Sequence, residues 1–288
     1  MSKLTASLFS AMLVAGATTA FAQSLPTTQP NLLQIYREEV KLGHGADHTK
    51  VEAGWPAAFE QAKSPYTYIA LESMTGPNEV WFVSPFESHK AMEDSQKRES
   101  DPALAASLAR LSKADAEHIN SNRSILAMAR KDLSYGAYPA TATQRFYEIT
   151  IFRVKPGHES GFEAAAKAYG AAAKRGAPNT SFRVYEIMAG MPSPTYLVFS
   201  SVKSYGEFDK VMADGEATMK AATAEERSTL EKFSADGLTN SETIRFRLDP
   251  TMSYVPKETR AQDPAFWMPK AAAAAPAKPA TDAKPVKK

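Results

Sequence analysis

The stretch "RVKPGHESGF" at residues 153–162 is repeated in outline as "EVKLGHGADH" at residues 39–48. The valine, lysine, glycine and histidine of the second stretch each follow their counterparts in the first by 114 residues. In both places a β-rich segment ends, a turn follows at the glycine, and a helical pattern begins. Self-similarity at a fixed offset is typical of an internal duplication. The sequence therefore predicts two copies of one structural unit.

The predicted elements around the two stretches follow the same order. Turn residues and β-rich runs predict strands at 31–40, 66–74, 79–84 and 123–129 in the first copy, and at 146–154, 181–188, 195–201 and 242–248 in the second. Helical spacing predicts a helix after each repeated stretch, from about Ala46 in the first copy, and further helices across 88–118 and from Ser204 and Thr223. Ser204 with Glu207, and Thr223 with Glu226, have the spacing of capping boxes. Each copy thus has the order βαββαβ.

The third strand of each copy indicates how the copies pack. "VWFV" at 80–83 and "YLVF" at 196–199 are continuous apolar runs, which is typical of strands buried on both faces. A ferredoxin-like βαββαβ unit has its helices on one face of the sheet only. The other face is buried if the two sheets pack against each other. The sequence therefore predicts an α+β protein in which tandem ferredoxin-like repeats form an intrachain pseudo-dimeric α+β barrel.

The chain of 288 residues is expected to have seven parts. Lys3, the apolar run 8–17 and Ala20-Phe21-Ala22 stand in the order of a signal peptide that is cleaved after Ala22, so we expect a periplasmic or secreted protein with no transmembrane segment after cleavage. The parts are the signal peptide (1–22), an N-terminal segment (23–30), the first barrel repeat (31–135), a linker (136–144), the second barrel repeat (145–255), an apolar docking segment (256–269) and a disordered Ala/Pro/Lys tail (270–288).

Composition excludes several classes of protein. The absence of cysteine excludes disulfides, a thiolate nucleophile and Cys-ligated metals. Residues 23–269 contain 28 basic and 31 acidic residues, and this acidic balance argues against a nucleic-acid partner. The tail at 270–288 has five lysines, which favour weak contact with anionic envelope polymers or lipid. Phosphate-binding loops, a G-x-S-x-G elbow and an H-E-x-x-H pair are absent from the sequence.

The run "YEITIFRVKPGH" at 147–158 resembles the dimeric α+β barrel superfamily, in particular its NIPSNAP-like and antibiotic-biosynthesis-monooxygenase-like branches. The resemblance covers roughly residues 31–255. Members of this superfamily include cofactor-free oxygenases, haem-binding enzymes, lactone isomerases and proteins without known activity. The resemblance implies the fold, but the superfamily shares no single catalytic motif, so it assigns no catalytic residue.

The histidines are the residues that differ most informatively between the copies. His44 and His158 are equivalent and are expected to position the turn at the helix start. His48 stands where the second copy has Phe162, and His89 stands where it has Tyr205. A titratable ring in place of an apolar one is explained either by a satisfied core histidine or by a role at a ligand site. The difference predicts that any functional pocket lies in the first copy, against the helix that begins near Ala46.

Five residues are the candidates for ligand binding: His44, His48, Trp55, Trp81 and His89. His44 and His48 are four residues apart, so a helix would place them on one side, and Glu38, Glu39 or Glu52 could complete a metal site. Such pairs are common by chance, so we expect no metal and no cofactor. Trp55 and Trp81 have the alternative of being core residues, and Pro56 is expected to break or restart the helix.

The sequence favours an exported protein that binds a small apolar or aromatic molecule between sheet and helices, with cofactor-free, oxygenase-like oxidation as its chemistry if it is an enzyme. The alternatives are a non-catalytic envelope interaction protein, or a haem-binding barrel with His44, His48 or His89 as the axial ligand. Polar groups that converge in a cavity would favour the first interpretation. A cavity filled by Trp55 and Trp81 would favour the second.

Overall fold

The computed structural model describes residues 25–268, so the predicted signal peptide and the lysine-rich tail lie outside the described residues. The first half has strands β1 (Leu32–Val40), β2 (Tyr68–Ser73), β3 (Glu79–Phe86) and β4 (Ile119–Ala129), with helices α1 (Gly45–Glu52), α2 (Gly54–Gln61), α3 (His89–Glu99) and α4 (Pro102–Asp115). The second half has strands β5 (Phe146–Val154), β6 (Arg183–Ala189), β7 (Thr195–Val202) and β8 (Leu238–Tyr254), with helices α5 (Glu159–Gly176), α6 (Glu207–Ala221) and α7 (Ala224–Lys232). Two short helices, α8 (Lys257–Gln262) and α9 (Pro264–Trp267), follow β8.

The eight strands form one closed barrel in the order β1-β3-β2-β8-β5-β7-β6-β4, and all neighbours are antiparallel. The pairs β2–β8 and β4–β6 join the two halves. Both halves therefore contribute to one interior, as the doubly apolar third strands predicted. The α+β barrel within a single chain is confirmed.

The barrel interior is a closed apolar core. Trp81 and Ile35 from the first half, and Ile149 and Leu197 from the second, have 0% of their surface exposed. The outward side chains of the strands are covered by helices, because side chains on a strand alternate between the two faces. The helix α2 of the first half also packs on the end of β8, where Phe59 stacks on Tyr254. Two smaller apolar clusters form under the helices, one around Phe82 and one around Phe162. The space between strands and helices is thus separate from the barrel interior.

The repeated stretches adopt the same turn in both halves. Gly43 and Gly157 have φ of 84° and 87°, a left-handed conformation that favours glycine. Lys41 donates a hydrogen bond from Nζ to the carbonyl of Glu117 at 2.9 Å, and Lys155 does the same to the carbonyl of Asp236 at 2.9 Å. Each lysine thereby ties the end of its first strand to the segment that leads into its last strand. The shared sequence is explained by this structural role.

The helix starts agree with the sequence predictions at Thr223 and near Pro56, and they differ at Ser204. The Thr223–Glu226 capping box is present, but the Ser204–Glu207 box is wrong, because α6 begins only at Glu207 and its N-cap residue is Gly206. His44 and His158 occupy N-cap positions, but their side chains make no capping hydrogen bond. The helix restarts at Gly54, two residues before Pro56, because proline is tolerated in the first turn.

The segment after β8 packs on the barrel. Trp267 is 4% exposed, and its Nε1 donates a hydrogen bond to the carbonyl of Ala142 at 3.0 Å. The guanidinium of Arg145 lies 3.7 Å from the ring centroid of Phe266 and forms an ion pair with Asp263.

Within residues 25–268, every helix is too short or too polar to cross a bilayer.

Candidate functional site

A cavity of about 550 Å³ lies between the outer face of the first-half strands and helices α1–α4. Aromatic rings form much of its wall, and carboxyl groups lie at several points of its lining. None of the described residues that line it is a lysine, an arginine or a histidine. The aromatic lining residues are Tyr36, Trp55, Phe59, Tyr66, Tyr68, Phe82 and Phe86, and the acidic ones are Glu38, Glu52, Glu99 and Asp115.

Three of these carboxyl groups converge on one buried imidazole. Glu38, His48, Glu52 and Asp115 are all buried, and each contributes one oxygen or nitrogen to a group of atoms within 4.8 Å of one another. Nε2 of His48 lies 3.1 Å from Oε2 of Glu38 and 3.5 Å from Oδ1 of Asp115. His48 itself is 1% exposed. We call these four residues the acidic cluster.

Three elements bring the acidic cluster together. Glu38 lies near the end of β1, while Asp115 is the last residue of α4. His48 and Glu52 are four residues apart on α1, so they share one face of that helix. The turn after β1 folds α1 back over the strand, which places both residues above Glu38. The cluster therefore depends on the repeated turn as well as on its own four residues.

Burial and the repulsion between carboxylates disfavour the ionised forms of Glu52 and Asp115. Burial, followed by the charges of Glu38 and Asp115, raises the pKa of Glu52 from 4.5 to about 9. Burial and the charge of Glu38 raise the pKa of Asp115 from 3.8 to about 6, although His48 acts in the opposite direction. At neutral pH Glu52 therefore holds a proton and can donate a hydrogen bond. Asp115 is mostly ionised and can accept one.

Buried tyrosine rings connect the acidic cluster to the cavity wall. Burial, followed by the charge of Glu52, raises the pKa of Tyr68 well above 10. The Tyr68 hydroxyl is buried without a hydrogen-bond partner among the described residues. The Phe59 ring contacts the edge of Tyr68 and stacks on Tyr254, with centroids 5.9 and 5.7 Å apart. The cavity wall is therefore mainly aromatic, and its polar atoms include the hydroxyl of Tyr68 and the carboxyl groups of the acidic cluster.

The second half has different residues at the four cluster positions. The strand registers pair Glu38 with Val80 and Phe152 with Tyr196, so Phe152 is the counterpart of Glu38. Val40 pairs with Ile119 and Val154 pairs with Leu238. The start of β8 at Leu238 therefore corresponds to the start of β4 at Ile119. By this alignment the counterparts of Glu38, His48, Glu52 and Asp115 are Phe152, Phe162, Ala166 and Ser234.

Three of these counterparts, Phe152, Phe162 and Ala166, belong to an apolar cluster, whereas Ser234 is exposed. Phe162 stacks on Tyr196 with ring centroids 3.9 Å apart, and it contacts Phe152 and Phe233. A cavity of about 380 Å³ remains beside them. The same arrangement of strands and helices therefore accepts apolar side chains at the positions of Glu38, His48 and Glu52. The fold itself does not require the acidic cluster of the first half.

The structure brings only some of the predicted site residues together. His48 lies in the acidic cluster and Trp55 lines the cavity. Trp81 lies instead in the barrel interior, where it packs against Phe246, so it does not reach the cavity. His44 is half-buried and its Nδ1 lies 3.1 Å from Nδ1 of His118, away from the acidic cluster.

The position of His89 differs from its predicted place in a pocket. His89 is exposed at the first residue of α3, and its counterpart Tyr205 is 44% exposed. The two residues differ on the surface, where a change from tyrosine to histidine has little effect on packing. Only the comparison of His48 with Phe162 concerned a buried position. The site residues that the sequence analysis missed are Asp115 and Tyr68.

The first-half cavity does not fit a haem. Among the three histidines considered as axial ligands, His89 is exposed, His44 faces His118, and His48 does not line the cavity, because its Nε2 points at the carboxyl groups of Glu38 and Asp115. Within residues 25–268, the lining offers acidic groups and no lysine or arginine to pair with the propionates of a porphyrin. The residues present are suited to a ligand with hydrogen-bond donors or positive charge.

No protein-family model and no curated protein matches the sequence. Among solved structures, a candidate monooxygenase from Fusobacterium nucleatum is similar to this chain with a TM-score of 0.51 and 10% identity, over 76% of this chain and 92% of that one. A match over three quarters of the chain has to include both halves of the barrel. At this identity the similarity shows the fold alone.

Two further solved structures have weaker similarity to this chain. A candidate monooxygenase from Lactobacillus acidophilus has a TM-score of 0.48 and 8% identity, over 75% of this chain and 93% of that one. A mutant chlorite dismutase from Candidatus Nitrospira defluvii has a TM-score of 0.48 and 13% identity, over 82% of this chain and 96% of that one. Fold and site together define an antiparallel α+β barrel formed within one chain, with an acidic, aromatic-walled cavity in its first half.

Proposed function

We propose that the protein binds a small aromatic molecule bearing hydroxyl or amino groups in the cavity of its first half. The observation that carries this proposal is the combination of aromatic walls with carboxyl groups in a lining whose described residues include no cationic side chain. Aromatic walls bind a ring, and buried carboxyl groups favour a ligand that donates hydrogen bonds or carries positive charge. An anionic ligand would be repelled.

The chemistry that we propose is oxygenase-like, and its first step is proton transfer from the ligand. Asp115, with a pKa of about 6, is mostly ionised at neutral pH and lines the cavity, so it can take a proton from an aromatic hydroxyl. Loss of that proton makes the ring more electron-rich and easier to oxidise. Fold neighbours described as candidate monooxygenases are compatible with this step.

The alternative of a non-catalytic envelope protein predicted a cavity filled by Trp55 and Trp81. Trp81 lies in the barrel interior, and Trp55 lines a cavity that keeps about 550 Å³ of space. A ligand of drug-like size needs a cavity of roughly 300–1,000 Å³. The available volume therefore favours ligand binding over a purely structural role.

The origin and location of the protein are proposed on sequence grounds. The equivalent turns and the strand orders β4-β1-β3-β2 and β8-β5-β7-β6 support tandem ferredoxin-like repeats, and the 147–158 run supports a NIPSNAP-like or antibiotic-biosynthesis-monooxygenase-like ancestry. The order of residues in 1–22 supports export to the periplasm or the medium. The five lysines of 270–288 support weak contact with an anionic envelope.

The ligand site is tested by filling the cavity with one side chain. Ser84 lies on β3 and lines the first-half cavity, and its counterpart Ser200 on β7 lines the second-half cavity. We expect N-phenyl-1-naphthylamine, a neutral aromatic probe with one N–H donor, to bind the mature protein with enhanced fluorescence. Ser84→Phe should weaken its binding at least about tenfold, which corresponds to ~1.4 kcal/mol, because the added ring occupies the site.

The matched control is Ser200→Phe, which should change probe affinity by less than about twofold. Both titrations are run in the presence of a chelator, so that their outcome does not depend on metal ions. Equal affinities of the wild type and Ser84→Phe would contradict the first-half site. A larger loss in Ser200→Phe would move the site to the second half.

A further inference from the structure

The acidic cluster has the donor set of a metal site. Glu38, Glu52 and Asp115 offer one oxygen each and His48 offers a ring nitrogen, and these four atoms all lie within 4.8 Å of one another. Metal–ligand bonds of roughly 2.0–2.2 Å place neighbouring donors roughly 3.0–3.5 Å apart. The distances of 3.1 and 3.5 Å from Nε2 of His48 to the oxygens of Glu38 and Asp115 lie in this range. Small side-chain rotations would close the remaining gaps.

The charge of the acidic cluster is not balanced by the protein. Within residues 25–268, no lysine or arginine forms an ion pair with Glu38, Glu52 or Asp115, and His48 supplies at most one positive charge. Buried carboxylates need a counter-charge or a proton. A divalent cation would supply more counter-charge than one imidazolium does.

Oδ1 of Asp115 and the hydroxyl of Tyr68 are buried polar atoms at the cluster that make no hydrogen bond within the described residues, although Nε2 of His48 lies 3.5 Å from Oδ1. Asp115 is 4% exposed, and its Oδ1, which points into the cluster, makes no hydrogen bond. The hydroxyl of Tyr68 is buried in the cavity wall and also makes none. Leaving a buried polar atom unpaired costs about 1–3 kcal/mol. A cation ligated by Asp115, with its bound water near the cluster, would satisfy such groups.

The comparison of the two halves indicates that the fold does not require these buried polar groups. Phe152, Phe162 and Ala166 occupy the positions of Glu38, His48 and Glu52 in the second half and pack in an apolar cluster. The same architecture therefore accepts apolar side chains at three of the four positions. A residue set that is dispensable for packing, costly to bury and arranged around one point is what a binding site requires.

We propose that Glu38, His48, Glu52 and Asp115 bind one divalent transition-metal ion at the end of the first-half cavity. This inference concerns the cluster at the proposed ligand site, but it does not depend on the identity or the binding of an aromatic ligand. Glu38, Glu52 and Asp115 line the cavity. An oxygen atom of a bound aromatic molecule, or a water, can therefore reach the ion. A divalent ion there would also lower the pKa of a hydroxyl bound to it.

The donor types narrow the choice of ion. One imidazole with three carboxylates suits Mn²⁺, Fe²⁺, Co²⁺ or Zn²⁺, whereas an all-oxygen site would suit Mg²⁺ or Ca²⁺. The chain has no cysteine, so metals that require thiolate ligands have no site in it. This set differs from the helix pair His44 and His48 that the sequence suggested, because His44 faces His118 instead.

The experiment uses the mature chain, treated with a chelator and then dialysed. Calorimetric titration with Mn²⁺ and Zn²⁺ should show one ion bound per chain, and Co²⁺ should give visible d–d absorption bands. Glu52→Gln and Asp115→Asn keep the shape of the side chains but remove ligand charge. Each should weaken the binding of Zn²⁺ more than about 100-fold, because even outer-shell changes at metal sites cost 10–100-fold.

His44→Ala is the matched control, because it removes the nearby histidine that lies outside the acidic cluster. It should leave the affinity for Zn²⁺ within about threefold of the wild type and the Co²⁺ bands unchanged. Circular dichroism checks that each variant is folded, and Glu52→Gln decides the result if Asp115→Asn is unstable. A wild-type protein that binds these ions no more tightly than Glu52→Gln does, or an equal loss in His44→Ala, would overturn the proposal.

Discussion

A fragment of residues 23–142, produced without the second half, is expected to dimerise or aggregate instead of folding as a monomer. Four of its interior side chains, Ile35, Leu71, Trp81 and Ile125, are at most 1% exposed in the barrel. Without the second half they would face water. Each contributes about 1.5–3 kcal/mol when fully buried, so their joint loss approaches the whole stability of an ordinary domain.

The fragment would also lose hydrogen-bond partners at both edges of its sheet. β2 pairs with β8, and β4 pairs with β6, so both edges of the first half become free. Free strand edges promote pairing with another chain. Light scattering coupled to size-exclusion chromatography should therefore report a dimer or larger species.

The complementary fragment of residues 143–288 serves as the control. Mixing the two fragments should restore a soluble one-to-one complex with cooperative unfolding, because the interior and both strand pairs are then complete. A folded monomer of residues 23–142 would mean that the first half buries its apolar face in some other way. In that case the closed barrel would not be the unit of stability.

Most of the fold could be predicted from the sequence because it is written in local patterns. The duplicated turn at Gly43 and Gly157 and the apolar runs of β3 and β7 were sufficient to predict two similar halves that share one interior. The misassigned Ser204 box shows the limit of such patterns. Two residues with capping spacing do not define a helix start when the backbone becomes helical only at Glu207.

The candidate site could be predicted only in part, because its members come together through tertiary packing. Comparing His48 with Phe162 identified the correct helix, and the same comparison of Glu38 with Phe152 would have identified the strand. Asp115 was harder to find, because it lies 67 residues beyond His48 and the offset between the halves changes along the intervening helices. Only the packing of α1 and α4 on the strands brings it next to the imidazole.

Glu52→Gln is expected to stabilise the metal-free protein at neutral and alkaline pH. The pKa of Glu52 is raised from 4.5 to about 9 in the folded state, so the folded protein holds this proton more tightly than the unfolded chain does. Below pH 4.5 both states are protonated, and the wild type has no disadvantage from this group. As the pH rises from 4.5 towards 9, the unfolded chain releases the proton first, and the free energy of unfolding of the wild type falls.

Glutamine cannot ionise, so Glu52→Gln should not show this fall. At pH 7 the difference in unfolding free energy should reach ~3 kcal/mol in favour of the variant, since each unit of pKa shift corresponds to about 1.4 kcal/mol. Urea unfolding with a chelator present, from pH 4.5 to pH 9, measures it. Glu216→Gln, at an exposed position on α6, is the control and should follow the wild type at every pH.

The pH dependence separates electrostatics from packing at this position. A charge held near Glu38, His48, Asp115 and Tyr68 must give a difference that grows with pH, whereas a better-fitting amide would give a constant one. A constant difference would mean that Glu52 ionises in the folded protein as it does in the unfolded chain. The acidic cluster would then carry its full negative charge in the absence of a metal, and its need for a cation would be greater still.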